Sequence, residues 1–203
     1  AAAEGPAGGH KGHIYKSWQL GDGSKVVYAR CDLDGVMDSK GSTVTANFRA
    51  MNEFDPRITG VDWRQKIENQ RGAVLATELK NNSNKLSKWT AQAVLGGVEL
   101  LKLGYVTRVH HKDNSRHTVI GTQAFKPKDF AAQINLNTQN CWGVVNALVD
   151  LLAKCEDGDY LIIKDPNRPM LRIYDVPNNA FDSNYTEELL PEQVEQAPPA
   201  AKA

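Results

Sequence analysis

The chain predicts an α/β (α+β) fold, a mixed sheet flanked by helices, on three observations. Short runs of alternating apolar character, bounded by Gly, Asp, Asn and Pro, recur along most of its length. Two longer stretches, beginning near Leu86 and Thr138, carry apolar residues at helical spacing. At 203 residues the chain is long enough for one well-cored domain with tails. Strands with two helices to cover them build a layered architecture.

Residues 1–12 are rich in Ala and Gly and are expected to form a disordered lead-in. The chain opens without methionine and without a signal-peptide apolar run, as an internal cut would leave it. His13 to Leu20 reads as a strand or its approach, and Gly21-Asp22-Gly23-Ser24 as a turn into a strand over Lys25 to Cys31. That strand puts Tyr28, Arg30, Asp32 and Asp34 on one side before Gly35 breaks it. Thr43 to Met51 is expected as a strand, with Ala46 to Met51 also compatible with a helix. A loop containing Pro56 and a short helix over Asp62 to Asn69 lead to Gly72–Asn82, GAVLATELKNN. This stretch is expected as a strand, with Val74, Ala76, Glu78 and Lys80 on one face.

From Leu86 to Leu103 a helix is expected, with Leu86, Trp89, Ala93 and Leu100 on its apolar face and Lys85, Lys88, Gln92 and Glu99 opposite. The Gly96-Gly97 pair inside it marks a close packing contact or a break. Tyr105 to His111 and Arg116 to Gln123 frame a hairpin across Lys112-Asp113-Asn114-Ser115, and a short helix follows Pro127. Thr138 is expected to cap a helix bearing Trp142, Val145, Val149 and Leu152 on one face. Tyr160 to Lys164 and Leu171 to Val176 form a second hairpin across Asp165-Pro166-Asn167-Arg168. The domain portion is therefore 13–177, and 178–203 is expected as an acidic disordered tail.

Composition is that of an ordinary soluble protein, 41% hydrophobic and 24% charged with no net charge. The tail holds five acids against one lysine, which leaves a mildly basic body compatible with an RNA-facing surface. Cys31, Cys141 and Cys155 form no Cys-x-x-Cys pair and are expected as reduced, core or near-core thiols in a cytoplasmic protein. No apolar run approaches the ~18 residues of a membrane span.

A strand ending in a carboxylate and an amine two residues apart suits metal-dependent phosphodiester cleavage. The acid holds a divalent cation and the lysine steadies a water or the phosphorane charge. Asp32 and Asp34 supply further acids if their strand lies beside Val74–Lys80, and Mg²⁺ prefers such oxygen ligands. As alternatives, Glu78 and Lys80 form a solvated ion pair and the aspartates are turn residues before Gly35. Gln92 either reaches this site or is solvated. His110, His111 and His117 lack the flanking ligands of a zinc centre. With Arg108, Lys112 and Arg116 they form either a phosphate-contacting basic hairpin or a solvated one. Asp62-Trp63-Arg64-Gln65-Lys66 is either an RNA or partner contact or a helix start capped by Asp62. The four tryptophans are expected mostly in the core, and one of them suits a methylated guanine base.

The blocks GVDWRQKIENQRGAVLATELKNNSNKLSKWTAQ, LKLGYVTRVHHKDNSRHTVIGTQAFKP, INLNTQNCWGV and YLIIKDPNRPMLRIYDVP resemble the D-subunit family of eukaryotic translation initiation factor 3, from about Ile14 to Pro177. The resemblance implies half of an mRNA cap-binding domain, with a fold similar to the decapping exoribonucleases. In those enzymes an acid-x-acid strand, a Glu-x-Lys strand and a helix glutamine make the metal site. The matching positions are Asp32, Asp34, Glu78, Lys80 and Gln92. It further implies a non-catalytic factor that engages the mRNA 5′ cap, the small ribosomal subunit and neighbouring subunits. The five residues would then be a remnant constellation that requires no cofactor, with Asp34 and Glu78 the positions for Mg²⁺ if any binds. The RNA-contact candidates are Trp63, Arg64, Lys66, Arg108, His110, His111, Lys112 and Arg116. The alternative is an active Mg²⁺-dependent decapping hydrolase or nuclease. Asp32 stands where the enzymes usually have glutamate, and about forty residues separate the two acidic segments.

Overall fold

The computed structural model describes residues 12–39, 41–110 and 112–177. They divide within a helix into two compact units, up to Asn146 and from Ala147 onward.

In the first unit, β1 (Gly12–Leu20) and β2 (Lys25–Leu33) form an antiparallel ribbon. The Asp22 side chain accepts from Ser24 N–H at 3.0 Å, and Gly23 N–H closes the turn onto Leu20 at 2.9 Å. A four-stranded sheet follows, built from β3 (Gly35–Ser39), β4 (Ser42–Asn52), β5 (Leu100–Arg108) and β6 (His117–Phe125) in spatial order β3-β4-β5-β6. The β4–β5 pairing is parallel and the other two are antiparallel, so the sheet is mixed as predicted. Four helices connect β4 to β5: α1 (Pro56–Thr59), α2 (Trp63–Lys66), α3 (Arg71–Asn81) and α4 (Ser83–Gly96). A parallel pair requires such a crossover. After β6 come α5 (Pro127–Gln133) and α6 (Thr138–Leu152), and the second unit takes up the chain within α6.

The core lies on the face of β5 that carries Leu101, Leu103, Tyr105 and Thr107, all buried. Trp63 from α2 packs its ring edge-to-face on Tyr105 at 5.4 Å between centroids, and both are 1% exposed or less. Val74 and Leu75 of α3, Leu86 and Ala93 of α4 and Phe130 of α5 complete the same cluster. Within the second unit, β7 (Asp159–Lys164) and β8 (Leu171–Val176) form the expected hairpin. Asp165 sets its turn, accepting from the N–H groups of Asn167 and Arg168 at 2.9 and 3.1 Å.

Gly72–Asn82 is a helix, α3, and not the expected strand. Its buried residues are Val74, Leu75 and Glu78, spaced at i, i+1 and i+4, whereas the strand pattern required Ala76 to share their face and Ala76 is exposed. Ala, Leu, Glu and Lys also favour the helix intrinsically. The acidic ribbon strand pairs only with β1, so it does not lie beside this segment in a sheet. The helix expected over Leu86–Leu103 stops at Gly96. Gly97 takes a left-handed conformation (φ 64°) and its N–H closes the helix end, after which Leu100 enters β5. Gly96 itself marks close packing, because a Cβ there would stand 3.2 Å from Val98 Cγ2. Asn137, not Thr138, caps α6, accepting from Asn140 N–H at 2.9 Å. Cys141 and Cys155 are exposed and only Cys31 is half-buried, so the near-core expectation holds for one thiol of three. The lead-in expected over 1–12 lies outside the described residues except for Gly12, which begins β1, and the tail over 178–203 lies outside them altogether. Among the described residues, no helix is long and apolar enough to cross a membrane.

Candidate nucleic-acid interface

The five residues matched to a metal site are held apart in different structural roles. Asp32 sits on β2 beside His13, whose Nδ1 is 3.2 Å from its carboxylate. Asp34 falls in the step between β2 and β3. There its carboxylate accepts from Phe48 N–H at 2.9 Å and pairs with the Arg49 guanidinium, while its own N–H donates to Asn47 Oδ1 at 3.2 Å. Glu78 lies on the buried face of α3 at 3% exposure, accepting from Asn82 Nδ2 at 2.7 Å. Burial pushes its carboxyl above the ordinary range, opposed by the Asn82 hydrogen bond and by the charge of Lys85. Lys80, two residues on, is exposed on another side of the helix, because i and i+2 do not face one another. Gln92 is exposed on α4. Among the described residues no three His, Cys, Asp or Glu side chains are grouped to hold a metal ion, so these acids do not fit a cation site as they stand.

Two other segments singled out in the sequence do meet. Asp62 caps α2, accepting from Gln65 N–H at 3.3 Å, and so directs the helix start toward the end of β5. Arg64 then reaches β5. Its Nη2 donates to the carbonyl of Arg108, to that of Val109 at 3.3 Å and to Thr107 Oγ1 at 3.3 Å. The Thr107 hydroxyl donates to Glu53 Oε2 at 2.5 Å, and Glu53 Oε1 accepts from Trp63 N–H at 3.0 Å. Glu53 N–H in turn donates to Val106 O at 2.8 Å. This network ties the end of β4, the start of α2 and the end of β5 into one rigid floor.

Above the floor lies a groove of about 800 Å³, lined by Arg57, Arg64, Arg108 and Lys112, by the acids Glu53, Asp55 and Asp62, and by Phe54. Asp55 caps α1 through Arg57 N–H at 2.9 Å and also grips the Arg57 side chain. The arginine hydrogen bond brings the Asp55 carboxyl down to about 2. Asp55 is therefore ionised at working pH, with its charge paired to the Arg57 guanidinium. The β5–β6 turn beside the groove is the predicted one. Asp113 accepts from Ser115 N–H at 2.8 Å and from its hydroxyl at 2.6 Å, bonds that hold its carboxyl below the usual range.

Of the eight RNA-contact candidates, Arg64, Arg108 and Lys112 line the groove. His110 is exposed at the adjoining turn, Arg116 is drawn toward Asp113 at 3.6 Å, and Lys66 is half-buried on α2. His111 lies outside the described residues. Trp63 is corrected outright: it is a core residue and presents no face to a ligand. Of the other tryptophans, Trp18 and Trp142 stand 5.3 Å apart, and Trp89 carries Lys85 Nζ at 5.7 Å. Sequence reasoning missed Glu53, Phe54, Asp55, Arg57 and Thr107. The available signal was Asp55-Pro56, a cap followed by proline at the first helical position, which marks a helix start at that point but does not orient Phe54.

Residues 4–175 match the family described as eukaryotic translation initiation factor 3 subunit 7 (eIF-3). The D subunit of eukaryotic translation initiation factor 3 from Arabidopsis thaliana is 52% identical over 184 residues, 91% of this chain and 31% of that protein. The corresponding D subunit of Nematostella vectensis is 53% identical over 84% of this chain and 30% of its own length, and the D-2 subunit of Drosophila grimshawi is 55% identical over 85% and 31%. The chain thus spans about a third of the length of these curated relatives. Among solved structures, Scheffersomyces stipitis Rai1 in complex with (3′-NADP)+ and calcium ion is similar at 17% identity, with a TM-score of 0.47 over 78% of this chain and 38% of that one. Matched over most of its residues, and at more than half identity to full-length relatives, the chain belongs to the eukaryotic translation initiation factor 3 subunit 7 family.

Proposed function

We propose that this chain is an RNA-facing part of a subunit of translation initiation factor 3, acting in the cytoplasm without catalysis. The subunit engages the mRNA 5′ cap, recruits selected messages to the small ribosomal subunit and assembles with the other initiation factor 3 subunits. Cap contacts are assigned to no residue here. The observation that carries the reading is the groove in which Arg64 of α2 meets Arg108 and Lys112, more than forty residues away in sequence. Of the three acids that line the groove, Glu53 is engaged by Thr107 and Trp63, Asp55 by Arg57, and Asp62 by the Gln65 N–H that it caps. Phosphate contacts through exposed cations position a nucleic acid without reading its sequence. The non-catalytic side of the proposal rests on Asp32, Asp34 and Glu78, each engaged by a different partner and not by one another.

The test uses the full-length subunit and a capped or uncapped RNA oligonucleotide, titrated with salt. Replacing Arg108 and Lys112 together by Glu is expected to weaken binding at least ten-fold and to reduce the salt slope by about 1.4, the value for two single-strand phosphate contacts. Binding that is unchanged in both respects overturns the groove as an RNA interface. Incubating the same RNA with Mg²⁺ is expected to leave it intact, and cleavage lost in Glu78→Gln would overturn the non-catalytic assignment.

A further inference from the structure

Phe54 occupies a position that a purely electrostatic groove has no use for. It is 61% exposed, whereas Phe130 on the same unit is fully buried. Both of its neighbours are fixed. Glu53 is held to Val106 and Thr107, and Asp55 caps α1 through Arg57 N–H and accepts from Ile58 N–H at 3.0 Å. The ring is therefore carried on a hydrogen-bonded corner and lines the same groove as Arg64, Arg108 and Lys112. An aromatic face beside a row of cations matches one occupant by charge and by shape: a ribose-phosphate strand whose bases are unpaired. Proteins that hold such strands combine cations along the backbone with aromatic rings on which bases stack. Bases in a duplex are already stacked on each other and cannot reach a ring on a groove wall.

Resting on the RNA-facing assignment above, we propose that this groove takes single-stranded RNA, with the Phe54 ring as the platform on which one base stacks. Phe54 then supplies a preference for strand state, while the cations supply affinity for any RNA backbone. Arg57 also lines the groove, paired with Asp55.

The experiment compares one uncapped 12-nucleotide single strand with the same strand annealed to its complement, on full-length subunit carrying Phe54→Ala, Phe54→Tyr or Phe54→Leu. Phe54→Ala is expected to weaken single-strand binding about ten-fold, with the duplex and the salt slope unaffected. Tyr is expected to restore binding and Leu, which keeps the apolar bulk without a π-face, is not. Equal losses on both RNAs, no loss at all, or rescue by Leu would overturn stacking, and so would an effect confined to assembly with other subunits. If the Arg108 and Lys112 reversals weaken RNA while Phe54→Ala does not, the groove holds RNA by its backbone alone and only this inference fails. If neither changes binding, the RNA-facing assignment fails with it.

Discussion

The helix pair α3–α4 and the groove beside β5 both gather charged side chains, and they use them in opposite ways. Glu78 is buried and takes its hydrogen bond from Asn82, one turn along the same chain segment. Lys80 and Gln92 point into solvent from separate helices. In the groove, Arg64, Arg108 and Lys112 come from distant segments, and a network of backbone carbonyls, Thr107 and Glu53 keeps that corner rigid while the cations stay exposed. Charges consumed by neighbours in sequence stabilise a fold. Charges brought together from afar and left in contact with water can meet a ligand.

Four substitutions break or sharpen this contrast, in order of expected effect. Trp63→Ala removes a fully buried ring from Tyr105 and is expected to cost about 3–5 kcal/mol. Thermal denaturation should show a large drop in Tm, with RNA binding lost only as the fold is lost. A variant that keeps its Tm yet loses RNA would place Trp63 among the groove contacts. Gly97→Ala forces a side chain into a left-handed conformation with Lys16 Nζ 3.0 Å away, and about 1 kcal/mol of stability should be lost in urea denaturation.

Glu78→Gln tests the buried carboxyl through pH. Its folded value lies above the ordinary 4.5, so the unfolded chain ionises first as pH rises. Stability is fully present below 4.5 and declines as pH climbs through the raised value. Gln keeps the oxygen that accepts from Asn82 but carries no charge. The variant should show a higher Tm than the wild type at pH 7.5 and match it near pH 4. An equal gain at both pH values would show that the carboxyl is not the cause. Lys80→Ala should change stability by less than about 0.5 kcal/mol and leave RNA binding intact. A larger effect in either assay would return Lys80 to the functional set.

Much of this was legible from the residues. The β7–β8 hairpin follows from Asp165 and the turn after it, the β5–β6 turn from Asp113 and Ser115, and α2 from its Asp62 cap, because each depends on contacts within a few residues. The error at Gly72–Asn82 came from a short apolar run whose period-two and helical patterns overlap. The burial of Val74, Leu75 and Glu78 together decides between them, and that depends on β5 and α4. At the groove, the cationic members were visible as two basic segments. Their juxtaposition was not, since it follows from a parallel pairing that no local signal announces. Phe54 escaped notice because nothing local shows whether a lone phenylalanine faces a core or a cleft.

That parallel pairing also bears on how fast the domain can fold. Ala46 meets Leu100, and Glu53 meets Thr107, across more than fifty residues of intervening chain. Contacts at that sequence separation raise the contact order of the domain, which is the feature that slows folding. The floor of the groove depends on the same pairing, because Glu53, which follows β4, meets Thr107 of β5. Arg64 and the carbonyl of Arg108 are therefore partners only in the folded domain.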